Sequence, residues 1–256
     1  MTFTRHQALA TASALVLTGF AAPAAVAATT SYAAILNELN GSGVSGRVDF
    51  RHDRDAETLR VRANISGLAP SLPHVNHVHG RFDEDGSARN SVVPTPALDA
   101  DGDGLVEVLE AAPAYGDILL SLEPALAMPG ADPTMVHTGP VADAFGNLSY
   151  DLTFDLSDDG IFFSPVSGAD YAAEDIFPLD LREYVIHGAF VPGSTLNEGF
   201  GFAEGTERAD GTGYSATLPV AAAEISAVPV PAGGLLLLTG LGGLGIAGKR
   251  RWNKAA

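Results

Sequence analysis

From Leu148 to Leu156 the chain alternates without a break, Leu148, Tyr150, Leu152, Phe154 and Leu156 against Ser149, Asp151, Thr153 and Asp155. Successive side chains on a strand point to opposite faces, so this segment can bury one clean apolar face only as a strand. The pattern recurs upstream. Val44, Val48 and Phe50 alternate with Arg47, Asp49 and Arg51, and Leu59, Val61, Ala63 and Ile65 alternate with Arg60, Arg62 and Asn64. A polar turn from Asp53 to Glu57 joins the two. Residues 74–82 and 184–191 and the segment from Tyr214 to Ile225 predict further strands, and Asp158-Asp159-Gly160 predicts a turn leading into Ile161-Phe162-Phe163. No sustained helical period occurs between the two ends of the chain. The expected fold class is therefore all-β: one antiparallel Greek-key sandwich or barrel of seven or eight strands over 28–227. It carries a long insertion without regular structure over 81–145.

The two ends read differently. Arg5 and His6 precede an apolar stretch from Ala8 to Phe20, and Ala25-Val26-Ala27 supplies small residues where a signal peptidase would cut. Residues 1–27 are expected to be a signal peptide and the protein to be exported. At the other end, Val228-Pro229-Val230-Pro231-Ala232 leads into an apolar run from Gly233 to Gly248 that closes on Lys249-Arg250-Arg251. A helix over that run spans about 24 Å, a short transmembrane segment whose basic end stays cytoplasmic.

Charge narrows the partners. All 31 acidic residues lie between 28 and 227 against nine basic ones, every one an arginine, a formal charge of −22. Such a surface disfavours nucleic acid and anionic membrane and favours cations. With no cysteine, disulfides, thiolate metal sites and thiol nucleophiles are excluded.

Histidine placement points to a metal. In His74-Val75-Asn76-His77-Val78-His79-Gly80, side chains two apart share a strand face, so His77 and His79 aim two imidazoles at one point. His187, in Tyr184-Val185-Ile186-His187-Gly188, can complete the set, and His137 in Met135-Val136-His137-Thr138-Gly139 is a further candidate. Copper or zinc suits such ligands. His52 reads as a polar residue beside a turn, and His74, next to Pro73, as a surface loop residue or an extra ligand.

A second constellation is made of hard oxygens. Over 99–110, Asp99, Asp101 and Asp103 occupy positions 1, 3 and 5 of a calcium-loop pattern. Gly104 makes the sharp turn, Leu105 offers its carbonyl, and Glu110 stands at position 12. Pro94 and Pro96 leave no room for a long entering helix and Pro113 limits the exit helix to about two turns, so the loop is EF-hand-like and unpaired, and its expected ion is a structural calcium. The alternative is a solvated acidic loop.

These residues resemble known families. Tyr32-Ala33-Ala34-Ile35-Leu36-Asn37, Ile65-Ser66-Gly67-Leu68 and His77-Val78-His79-Gly80 resemble the CHRD (chordin-type) domain, and the same order resembles Cu/Zn superoxide dismutase. The second resemblance implies copper on His77, His79 and His187, a zinc-type ligand pair in His137 and Asp143 ahead of Gly146-Asn147, and an anion-guiding catalytic role for Arg208. No histidine lies between His79 and His137, so either His137 bridges or completes the copper set, or the site holds one metal. The tail resembles bacterial PEP-CTERM sorting signals of the VPLPA subtype, with Val230 where leucine is usual. That resemblance implies removal of 228–256 by an exosortase, transient inner-membrane anchoring and a surface or extracellular destination. A permanent anchor is the alternative. Two functions follow as expectations: a copper protein that dismutates superoxide, or a non-catalytic CHRD-type surface or matrix domain stabilised by calcium.

Overall fold

The computed structural model describes residues 28–128, 139–193, 203 and 205–229. The expected signal peptide, the apolar run of the sorting tail and His137 lie outside these residues. Among the described residues, no helix is long and apolar enough to cross a membrane.

The alternating segments become strands with the expected faces. In chain order the elements are β1 (Thr29–Ile35), β2 (Asn37–Glu38), β3 (Ser45–Asp53), β4 (Thr58–Ser66), β5 (Asn76–Phe82), β6 (Ala88–Arg89), α1 (Val108–Tyr115), β7 (Asp117–Ser121), β8 (Leu148–Asp155), β9 (Glu183–Pro192), β10 (Thr212–Glu224) and β11 (Ser226–Ala227). All pairings are antiparallel and form two sheets, ordered β11-β1-β3-β4-β8 and β2-β10-β9-β5-β6, with β7 also paired to β5. The fold is an all-β sandwich rather than a closed barrel. Along one side, β2 leaves β1 to pair with β10, and β11 leaves β10 to pair with β1, so the chain stitches the two sheets together there.

Between the sheets lies one apolar layer. Val48 and Phe50 of β3, Leu59, Val61, Ala63 and Ile65 of β4, and Leu148 and Phe154 of β8 meet Val78, Tyr184, Ile186 and Val220 of the other sheet. Each fully buried large side chain of this kind stabilises the fold by about 1.5–3 kcal/mol. The arginines and aspartates of β3, β4 and β8 face solvent, where Arg60 and Arg62 both reach Asp151, at 2.7 and 2.9 Å.

Two expectations need correction. The insertion over 81–145 is not irregular: it holds β6, α1 and β7, and β7 joins the second sheet against β5. Ile118, Leu119 and Leu120 of β7 are all buried, so the strand shows no period-two signature. His74 is not a surface loop residue but fully buried. Its Nδ1 faces the His187 carbonyl at 2.8 Å and its Nε2 the Ala69 carbonyl at 3.0 Å; burial lowers the pKa of the ring, and the single N–H of the neutral imidazole donates to one of these two acceptors.

Candidate metal centre

The outer face of the second sheet carries the site. Val78 on β5 and Ile186 on β9 point into the sandwich, so the alternation sends His77, His79 and His187 to the opposite face. There α1 and the chain leading to it cover them. Strand register brings the three together: His77 lies opposite Val185 on β9, and the amide of His187 donates to the Val75 carbonyl at 3.0 Å. Just before His77, Asn76 is locked in the core. Its Oδ1 accepts from the Tyr150 and Tyr184 hydroxyls at 2.6 and 3.3 Å, and its Nδ2 donates to the His74 carbonyl at 3.2 Å.

Each imidazole of His77, His79 and His187 offers a nitrogen within 4.8 Å of the others, and all three residues are buried. Their ring centroids stand 5.3–6.2 Å apart. Two of the rings are held from behind by backbone. His79 Nδ1 lies 3.1 Å from the Gly116 carbonyl, and His187 Nδ1 lies 2.5 Å from the Thr217 carbonyl. A carbonyl only accepts, so in both rings the proton sits on Nδ1 and the lone pair on Nε2. Among the described residues, both Nε2 atoms are buried without a hydrogen-bond partner. Burying an unsatisfied ring nitrogen costs free energy, and a metal ion at the common focus removes that cost. The donor set therefore fits a metal.

Electrostatics keeps the ligands ready. Burial, with the neighbouring His187 next in importance, pushes the His79 imidazole down to about 3, and burial pushes His187 down to about 4. Both rings stay neutral and able to donate through the physiological range. Cross-strand from His79 stands Glu183, fully buried, with neither carboxylate oxygen hydrogen-bonded. Burial, reinforced by Glu224, raises its carboxyl to about 9. It therefore stands as a neutral acid at pH 7.

The backbone that holds the rings has local causes. Register shifts on β10 flank Pro219, which lies opposite His187 and has no N–H to give the ladder. The resulting bulge turns the Thr217 carbonyl to His187. At Gly116 the chain takes φ +87°, and a Cβ there would collide with the Gly80 carbonyl. Only glycine lets these two strands come close enough for the Gly116 carbonyl to reach His79.

Above the rings opens a cleft of about 280 Å³. Its walls include Val108, Leu109 and Ala112 of α1, together with Tyr115, Ile118 and Val166. Tyr115 packs its ring 4.4 Å from that of His79. The segment carrying Val166 is tied down by Asp117, which accepts from Ser164 at 2.6 Å, Ser167 at 2.5 Å and Tyr171 at 2.7 Å.

The other predicted residues lie elsewhere. Asp143 is exposed, its carboxylate accepting from the amides of Phe145 and Asn147, each at 2.8 Å. No group of converging ligand atoms among the described residues includes it. The guanidinium of Arg208 sits 3.4 Å over the Phe190 ring and does not line the cleft. His52 stacks on Phe177 at 4.2 Å.

The acidic loop forms two groups of converging oxygens, Asp99 with Asp101 and Glu110, and Asp101 with Asp103 and Glu107. Gly102 and Gly104 take φ +77° and +92°, the sharp turning the pattern requires. The aspartates meanwhile accept loop amides: Gly102 and Gly104 donate to Asp99 at 2.7 and 3.0 Å, and Leu105 donates to Asp103 at 2.8 Å. Glu110 accepts from Ala100 at 2.7 Å and from the amide of Glu107, the cap of α1, at 3.1 Å.

Comparison with protein-family models and with curated proteins returned no match.

Proposed function

We propose that this domain is an exported copper protein holding one metal ion on His77, His79 and His187. The observation that carries the reading is the pair of buried Nε2 lone pairs, each fixed by a carbonyl behind its ring and neither satisfied among the described residues. Three neutral imidazoles suit both copper and zinc, and copper stands above zinc in divalent affinity at a nitrogen site. Copper on such ligands supplies one-electron exchange at an open position. The chain's own residues fix the tautomers, hold the rings neutral, and screen the position with the apolar face of α1.

Superoxide dismutation is the activity that the dismutase resemblance implies, and the cleft supports it less than it supports the metal. An anion would have to approach a domain of formal charge −22, and Arg208 is not positioned at the cleft. The test is copper and zinc content of the protein after loading and dialysis, with electron paramagnetic resonance of the cupric form. One copper per chain with nitrogen hyperfine structure is expected. A protein that retains none, or holds it with oxygen ligands alone, sinks the proposal.

Convergence of Asp99, Asp101 and Glu110 favours a second, structural ion, calcium, on the loop ahead of α1. Calcium at a hundred times its dissociation constant would stabilise the fold by about 2.7 kcal/mol. The thermal midpoint is accordingly expected to rise with added calcium and fall with chelator. Asp101→Asn keeps an acceptor for the Asp103 amide but removes a charge common to both oxygen groups, and should abolish the response.

A further inference from the structure

The cleft over the three histidines is lined almost wholly by carbon. Among its lining residues the ionisable groups are the histidines, Tyr115 and Asp117. The Asp117 carboxylate is turned to Ser164, Ser167 and Tyr171. Among the described residues, no arginine or lysine lines it. With no metal bound, an anion entering would exchange water for hydrocarbon without a counter-charge, inside a domain of formal charge −22. A cation would find its one carboxylate already hydrogen-bonded to three hydroxyls. A neutral guest faces neither cost.

Size and shape narrow the guest further. A dry cavity of about 150 Å³ accepts a benzene ring. At about 280 Å³ this cleft has space for one substituted ring and little more. Leu109 and Val166, each 52% exposed, are the large apolar side chains that its walls leave to solvent. Such exposed apolar surface around a concavity marks a binding site. The floor is polar at one spot, the ring nitrogens of His79 and His187, which can accept a hydroxyl proton when no metal is bound.

We propose that this cleft binds a small, uncharged aromatic molecule bearing one hydroxyl, with its ring between α1 and Val166 and its hydroxyl at the histidine floor. The placement of the hydroxyl at an open metal position rests on the copper reading, whereas binding of the ring rests on the cleft alone. The probes are 4-methylphenol and its somewhat larger anionic analogue 4-methylbenzoate, titrated calorimetrically into the full protein; the two are compared on metal-free protein, and phenol binding is read again after zinc loading. The phenol should bind at least tenfold more tightly than the benzoate. Leu109→Arg and, independently, Val166→Arg should each weaken phenol binding at least tenfold while leaving metal stoichiometry unchanged; two separate surface variants guard against misfolding of either. Benzoate binding as tight as phenol binding, or both arginine variants binding the phenol normally, overturns the inference. Stoichiometric metal with no phenol bound overturns it and leaves the copper reading intact. Phenol bound selectively by a protein that takes up no metal supports it and overturns the copper reading.

Discussion

Replacing His79 and His187 together by alanine should abolish copper retention: one ion per chain in the parent protein, none after dialysis of the variant. Loss of a residue that merely orients a ligand costs about 10–100-fold in metal affinity. Loss of two of three ligands should exceed that by a wide margin, because one imidazole offers no chelation. His52→Ala serves as the control. Its ring stacks on Phe177 outside the triad, so this variant should keep its copper. Apo stability should fall moderately in the double variant, because the Gly116 and Thr217 carbonyls lose their donors and two buried rings are truncated, offset in part by removal of two buried unsatisfied nitrogens. Copper lost with the fold intact, read by near-ultraviolet circular dichroism, is the result that assigns the site. Copper retained at full stoichiometry would place the metal elsewhere.

Metal-free protein should be most stable at about pH 6.5 and lose stability on both sides. The acid limb comes from the histidines. His79 and His187 titrate at about 3 and about 4 in the fold but near 6.5 unfolded, so between these values the unfolded chain binds more protons. Stability then falls as pH falls, by up to about 1.4 kcal/mol per pH unit for each ring. The alkaline limb comes from Glu183, whose carboxyl is raised from 4.5 to about 9. Here the folded protein holds the extra proton, so stability is greatest below the unfolded value and is lost as pH rises toward 9. Between 4.5 and 6.5 the two rings outweigh the one carboxyl, which puts the maximum near the unfolded histidine value. Glu183→Gln should remove the alkaline limb and leave the acid limb in place. Urea midpoints measured from pH 5 to pH 9 test this, and an unchanged alkaline limb in the glutamine variant would show that Glu183 does not carry it.

The residues differ in how openly they announced these roles. Alternation predicted β3, β4 and β8 because one face of each meets solvent, and the same rule placed His77 and His79 side by side. The apolar run Ile118 to Leu120 gave no such sign, since β7 is buried on both faces. Helix α1 follows the acidic loop at about the two turns that Pro113 led one to expect, though it runs through that proline to Tyr115. The carbonyls that select the tautomers were invisible for a deeper reason. Backbone acceptors have no side-chain signature, and only indirect marks remain: Pro219 in a strand, and glycine at 80 and 116. Glu183 carries no mark of its role in the sequence, because burial is a property of the fold, not of the residue.

The bulge at Pro219 sets a time as well as a place. Thr217 reaches His187 only once β10 has paired with β9, and His79 meets His187 only once β9 has paired with β5. These pairings join distant parts of the chain, and contacts of that kind form late. A nascent or partly folded chain offers a metal scattered imidazoles with either nitrogen protonated. On the proposed copper reading, uptake of the ion would report that folding is finished.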